Sequence, residues 1–152
     1  MIKIMFVCHG NICRSPMAEF ILKDMIEQKG LTNQFHIASS ATSTEEIGNP
    51  VHHGTKNKLY KFGISVEGKK AIQLTKEDFE NYDYILGMDS QNIRNIYRII
   101  GMSESEKIHR LLDFSKNPRD IADPWYTGNF DVTYDDICEG CETLLDVILM
   151  KK

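Results

Sequence analysis

Residues 2–30 read IKIMFVCHGNICRSPMAEFILKDMIEQKG. Ile2 to Val7 is a short apolar run with a β-branched bias, which predicts a buried strand. Ser15-Pro16 reads as an N-cap followed by the first helical position. Behind them Met17, Phe20, Ile21, Met25 and Ile26 recur at helical spacing, and Gly30 supplies a stop. Strand, loop and helix thus fit within thirty residues. The loop between them holds two cysteines, an arginine, a glycine and an asparagine, far more special chemistry than a surface turn needs.

The same alternation continues outward. Phe35 to Ala41 reads as a second strand and Val51 to Phe62 as a helix closed by Gly63. Thr75 caps a further helix start. Tyr84 to Met88 is a third strand, after which Asp89 caps a helix carrying Ile93, Ile96, Tyr97 and Ile100. Lys107 to Leu112 is a weaker fourth strand, and Thr133 to Met150 a last helix. Strands alternating with helices predict an α/β fold with a parallel sheet covered on both faces. Ligands of such sheets sit beyond the carboxyl ends of the strands, where the Cys8 loop lies. The long irregular stretch from Asp113 to Phe130 is the other place to look for function.

The 152 residues carry no internal repeat or linker, which predicts a single domain over 1–152. Apolar residues make up 41% and charged residues 26%, a globular balance. A net charge of −4 gives no electrostatic footprint for nucleic acid or an anionic membrane. No segment approaches the roughly 20 apolar residues needed to cross a bilayer, and MIKIMFV is too short for a signal peptide. The expectation is a cytoplasmic protein whose four cysteines are thiols.

Cys8, five residues and Arg14 stand between a buried strand and a helix start, where backbone N–H groups converge and the helix dipole favours an anion. Gly10 permits unusual backbone angles, and Asn11 tolerates positive φ. Successive N–H groups curled around a centre form an anion nest, to which Arg14 adds a planar fork for two phosphate oxygens. Helix N-termini and nearby cations lower the ordinary thiol value of about 8.5, so Cys8 is expected to be a thiolate at neutral pH, with Ser15 donating to its sulfur. That set suits nucleophilic attack on phosphorus.

At these residues the chain resembles the low-molecular-weight protein tyrosine phosphatase family. The family pattern V-C-x-G-N-x-C-R-S-P is matched throughout by Val7 to Pro16. Residues 39–50 (SSATSTEEIGNP), 75–79 (TKEDF), 83–89 (DYILGMD) and 123–126 (DPWY) follow in family order and spacing. The resemblance implies a small doubly wound, flavodoxin-like three-layer sandwich with a four-stranded parallel sheet and the phosphate loop after strand 1. It implies hydrolysis of phosphotyrosine and aryl phosphates through a phospho-cysteine, with Cys8 as nucleophile, Arg14 as clamp and Asp123 as acid then base. His9, Gly10, Asn11, Ile12, Cys13 and Ser15 would complete the phosphate-binding loop. Trp125 and Tyr126 would flank the substrate ring, in a slot too deep for phosphoserine. No metal or cofactor is implied, and the partner is a phosphotyrosine protein acted on by a monomer.

An Asp-Pro step by itself reads as a turn, so the role of Asp123 rests on the resemblance. Relatives that act on phosphoarginine carry threonine in place of Ile12 and lack the aromatic pair. Arsenate reductases relay oxidation through mid-chain cysteines, and none lies between residues 14 and 137 here. A non-catalytic phosphate-binding module would have no use for Asp123.

The chain departs from the family pattern in places. Glu45 stands where several relatives carry an aromatic residue. Lys69 falls near a position where many relatives have a histidine that bonds a loop serine, so Ser39, the serine beneath Asn11, is expected to have another partner. Two roles stay open for Cys13, packing beneath the loop or trapping oxidised Cys8 as a disulfide. Cys138-Glu139-Gly140-Cys141 falls inside a helix with no second pair, and Cys141 reads as core. Neighbouring His52 and His53 are expected to point apart on a helix.

Overall fold

In the computed structural model, which describes residues 1–151, four parallel strands form one sheet in the order β2-β1-β3-β4. They are β1 (Ile2–Cys8), β2 (Phe35–Ala41), β3 (Tyr84–Gly87) and β4 (Ile108–Arg110). The helices are α1 (Arg14–Gln28), α2 (His53–Tyr60), α3 (Lys76–Asn81), α4 (Ser90–Ile100), α5 (Pro124–Thr127) and α6 (Phe130–Met150).

The apolar run of β1 shows no alternation because both of its faces are buried. Ile4 and Phe6 join the cluster built with Met17, Ile21 and Leu22 of α1 and Ile137, Cys141 and Leu144 of α6. Met5 and Val7 point the other way, into the cluster with Ile85, Ile96, Ile100 and Ile108. This is a three-layer α/β sandwich with α1 and α6 on one face and α4 on the other. The register pairs Cys8 with Ala41 and Val7 with Gly87, so three strand ends meet at the loop after β1.

Helix limits shift where capping differs from expectation. α1 begins at Arg14, not after Ser15, and Cys13 at its N-cap makes no side-chain cap bond. The Cys8 sulfur accepts from the Ser15 N–H at 3.5 Å, taking the place of a cap. α2 is shorter than Val51 to Phe62, because extended His52 caps it by accepting from Gly54 N. α6 starts three residues before Thr133, because Asn129 accepts from Val132 N. α4 has the expected cap, a reciprocal pair between Asp89 and Asn92, and ends on left-handed Gly101.

The stretch from Asp113 to Phe130 is anchored rather than loose. Asp120 accepts from the backbone and hydroxyl of Ser90 and from Arg110. Arg119 reaches Asp136 and Glu139 of α6, and Ile121 N donates to Met88 O at 2.9 Å. The loop therefore arrives at Asp123 from a fixed direction. Among the described residues no helix is long and apolar enough to cross a membrane.

Candidate active site

The loop after β1 winds around the Cys8 sulfur. Asn11 N donates to Sγ at 3.3 Å and Ser15 N at 3.5 Å, while Ser15 Oγ lies 3.0 Å away. Asn11 is the non-glycine residue with positive φ, at 58°, a conformation that costs about 1 kcal/mol in an ordinary residue. Its side chain offsets that cost by bonding in three directions. Nδ2 donates to Ser15 Oγ at 2.8 Å and to Ser39 Oγ at 2.9 Å, and Oδ1 accepts from Ile72 N at 3.2 Å. Because Ser15 Oγ accepts from Asn11, its own hydrogen can turn toward Cys8 Sγ at 3.0 Å, with the Ser40 carbonyl at 3.4 Å as the other acceptor in reach. Donors arrayed in this way suit a thiolate.

Gly10 plays a different part from the one expected. It is not among the positive-φ residues. A Cβ there would stand 3.3 Å from Glu46 Cγ, so its value is the close approach of that side chain.

Ser39 does have another partner. Its hydroxyl donates to Glu19 Oε1 at 2.6 Å, and Glu19 Oε2 accepts from Lys23 at 2.5 Å. Lys69 binds the Ser39 carbonyl at 2.8 Å and lies 3.7 Å from Glu19 Oε1. Burial pulls the Lys69 ammonium below its ordinary value, against the attraction of Glu19. An ion cluster centred on buried Glu19 thus holds Ser39 beneath the loop and supports Asn11 from below. Glu19 is only 4% exposed and was missed by reading the sequence. Its signal was available: it follows Ser15 by four residues, which puts a carboxylate on the inward face of α1.

Arg14 is buried at the mouth of the loop. Nη1 donates to Asp89 Oδ2 at 2.7 Å and to the Ile121 carbonyl at 2.8 Å, and Nη2 lies 3.5 Å from Asp123 Oδ2. Burial opposes its charge, but Cys8, Asp89 and Asp123 together hold the guanidinium above its ordinary value. Asp89 therefore both caps α4 and aims Arg14.

Asp123 has the extended backbone that a residue before proline adopts, with φ −82° and ψ 114°. Its Oδ1 accepts from Trp125 N at 3.0 Å, leaving Oδ2 turned toward Arg14. Trp125 and Tyr126, on the short helix α5, are 57% and 82% exposed, so neither packs inward. With His9, Glu45, Glu46 and the loop they line a cleft of ≈ 520 Å³ whose floor includes Cys8, Gly10, Ile12, Cys13 and Arg14. At the rim His9 Nε2 meets Glu45 Oε2 at 3.0 Å. Glu46, unforeseen, adds a second carboxylate to that wall.

Cys13 is buried against Ile12 and Ala71. Burial first, then the neighbouring Cys8 and Asp123, push its thiol up to about 12, so it remains a neutral thiol beside Cys8. Cys141 is fully buried, and burial raises its thiol further from reactivity. His52 and His53 do not diverge. His52 stands outside α2, and the two rings stack at 4.2 Å. Thirteen candidate residues from the sequence thus converge on one place, twelve around the cleft and its loop and Ser39 directly beneath.

The chain matches the model for "Low molecular weight phosphotyrosine protein phosphatase" over residues 3–152. It is 42% identical over 154 residues to the low molecular weight protein-tyrosine-phosphatase YfkJ of Bacillus subtilis, covering 100% of this chain and 99% of that one. The crystal structure of YfkJ superposes with a TM-score of 0.96 over 100% of this chain and 97% of that chain. A low molecular weight protein tyrosine phosphatase from Streptococcus pyogenes, SP-PTP, gives a TM-score of 0.86 at 39% identity, over 96% and 92% of the two chains. On the match over nearly its whole length and the identity with YfkJ, the chain belongs to the low molecular weight phosphotyrosine protein phosphatase family.

Proposed function

We propose that this protein hydrolyses phosphotyrosine in protein substrates by way of a phospho-cysteine. The observation that supports this most directly is the meeting of three groups in one cleft: the Cys8 sulfur ringed by donors, the Arg14 guanidinium, and the Asp123 carboxyl. The phosphoryl group sits in the nest of loop N–H groups, with two oxygens on the fork of Arg14. Cys8 Sγ attacks phosphorus as the bond to the phenolic oxygen breaks, and Asp123 gives that oxygen its proton. Tyrosine departs. Asp123, now a carboxylate, takes a proton from water, whose oxygen attacks phosphorus. The S–P bond breaks, and Ser15 Oγ–H stabilises the departing thiolate. Water and phosphotyrosine have become tyrosine and inorganic phosphate, and the enzyme is restored. Trp125 and Tyr126 would border the phenyl ring, and Ile12 contributes an apolar floor.

Parallel assays on phosphotyrosine and phosphoarginine peptides test the reading. The expected kcat/KM favours phosphotyrosine by more than about tenfold, and EDTA is expected to change nothing because no step calls on a metal. Equal or reversed selectivity overturns it.

Charge at the rim sets a preference among peptides. Glu45 is exposed and, among the described residues, its carboxylate pairs with His9. Glu46 lies beside it. Acidic residues flanking a phosphotyrosine therefore meet repulsion. Glu45→Tyr is expected to raise kcat/KM for acidic phosphopeptides about two- to fivefold, with little change for neutral ones. A uniform response across the peptide panel removes the idea.

A further inference from the structure

His52 is used by no step above, yet it joins three parts of the site. Its backbone N–H donates to the Ile12 carbonyl of the Cys8 loop at 2.8 Å. Its Nδ1 accepts from Gly54 N at 3.0 Å, capping α2. Its ring lies parallel to Phe130, with centroids 5.4 Å apart and planes 15° apart, and it presents an edge-to-face contact to Trp125 at 5.5 Å and 75°. Phe130 can lie there because residue 54 is glycine: a Cβ would come within 2.2 Å of the Phe130 ring. Among the described residues, His52 is the ring that meets Trp125, a side chain otherwise more than half exposed.

We propose that His52 is a positioning residue for the substrate slot, its neutral ring fixing where the Trp125 wall stands and so strengthening the binding of aromatic phosphates. The proposal rests on the reading that the substrate ring enters beside Trp125.

The chemistry of the cap enforces the neutral form. An N–H pointing at Nδ1 requires a lone pair there, so the ring proton belongs on Nε2. A second proton, on Nδ1, would set donor against donor and break the cap. The groups facing the ring are His53, Asp123 and Glu46. Burial and the adjacent His53 pull His52 below its ordinary value, while the two carboxylates work in the opposite direction. The folded chain therefore takes up this proton less readily than the unfolded one. The stabilisation is present above the ordinary histidine range and is lost as pH falls through it.

Trp125 is the only tryptophan, so emission excited beyond the tyrosine band reports its surroundings, and the His52 variant isolates the part due to this contact. Emission of the wild type is expected to titrate with a midpoint below about 6.5. His52→Asn retains a capping acceptor but removes the ring. It is expected to abolish that titration and to raise KM for a phosphotyrosine peptide about two- to tenfold, the worth of one aromatic edge-to-face contact, with kcat within about twofold. Competitive inhibition by inorganic phosphate, which touches only the loop, is expected to be unchanged. That result shows the loop intact and separates lost positioning from misfolding. His53→Asn is expected to keep the titration. Persistence of the titration in His52→Asn, or an unchanged KM, overturns the proposal. Failure of the wild type to hydrolyse phosphotyrosine at all would count instead against the function, since the emission measurement uses no substrate.

Discussion

Cys8→Ser is expected to hydrolyse phosphotyrosine at least about 10⁴-fold more slowly than the wild type, while still binding inorganic phosphate. The proposed cradle is made of backbone N–H groups and Arg14, and a serine Oγ can accept from Asn11 N and Ser15 N as the sulfur does, so it should persist. A serine hydroxyl in the same ring of donors has no base to take its proton. The carboxyl of Asp123 is turned toward Arg14 and must itself be protonated to help the leaving group. The donors from Asn11 and Ser15 suit an anion already formed and cannot make one from an alcohol. Turnover assays beside calorimetric titration with phosphate check both halves. Residual turnover above about 1% of wild type would end the phospho-cysteine scheme, and loss of phosphate binding would show that the sulfur builds the cradle.

Asp123→Asn is the second large effect, expected to lower kcat for phosphotyrosine by about 10²- to 10⁴-fold. Asparagine can still accept from Trp125 N as the native Oδ1 does, so the α5 cap and the loop should persist. What disappears is the transferable proton. A phenol with an ordinary value near 10 leaves poorly without it. An activated phenol with a much lower value needs no proton to depart, so its first turnover should survive. The second step, which needs Asp123 as base, should then stall. Rapid mixing should show a burst of about one phenol per enzyme with the activated substrate and none with phosphotyrosine. Wild-type steady-state rates in Asp123→Asn would assign the acid elsewhere.

Much of this site was legible because it is local. Cys8, Asn11, Arg14 and Ser15 fall within eight residues, and a strand entering a helix across so short a loop has few ways to turn. The positive φ of Asn11 was foreseeable from residue type. The exchange of roles with Gly10 was not, since it depends on Glu46 arriving from the loop after β2. Asp123 came from family resemblance, because an Asp-Pro step means little alone. Its distance from Arg14 could come only from the fold.

What stayed hidden is all long-range. The spacing of Glu19 from Ser15 shows the face of α1 it occupies, but only the fold brings Ser39 of β2 to it. Arg14 is aimed by Asp89, 75 residues away. The expectation that His52 and His53 diverge assumed both lay on a helix, whereas capping geometry leaves one outside it.

By itself, then, the sequence determined the alternating α/β order, the two-sided burial of the first strand and the residue set of the Cys8 loop, since each follows from residue type and short-range spacing. The tertiary structure alone decided what holds that loop from below, what aims its arginine and what stands beside its tryptophan. Those partners are set by sheet register and helix packing, which bring together residues whose separation along the chain carries no trace of their contact.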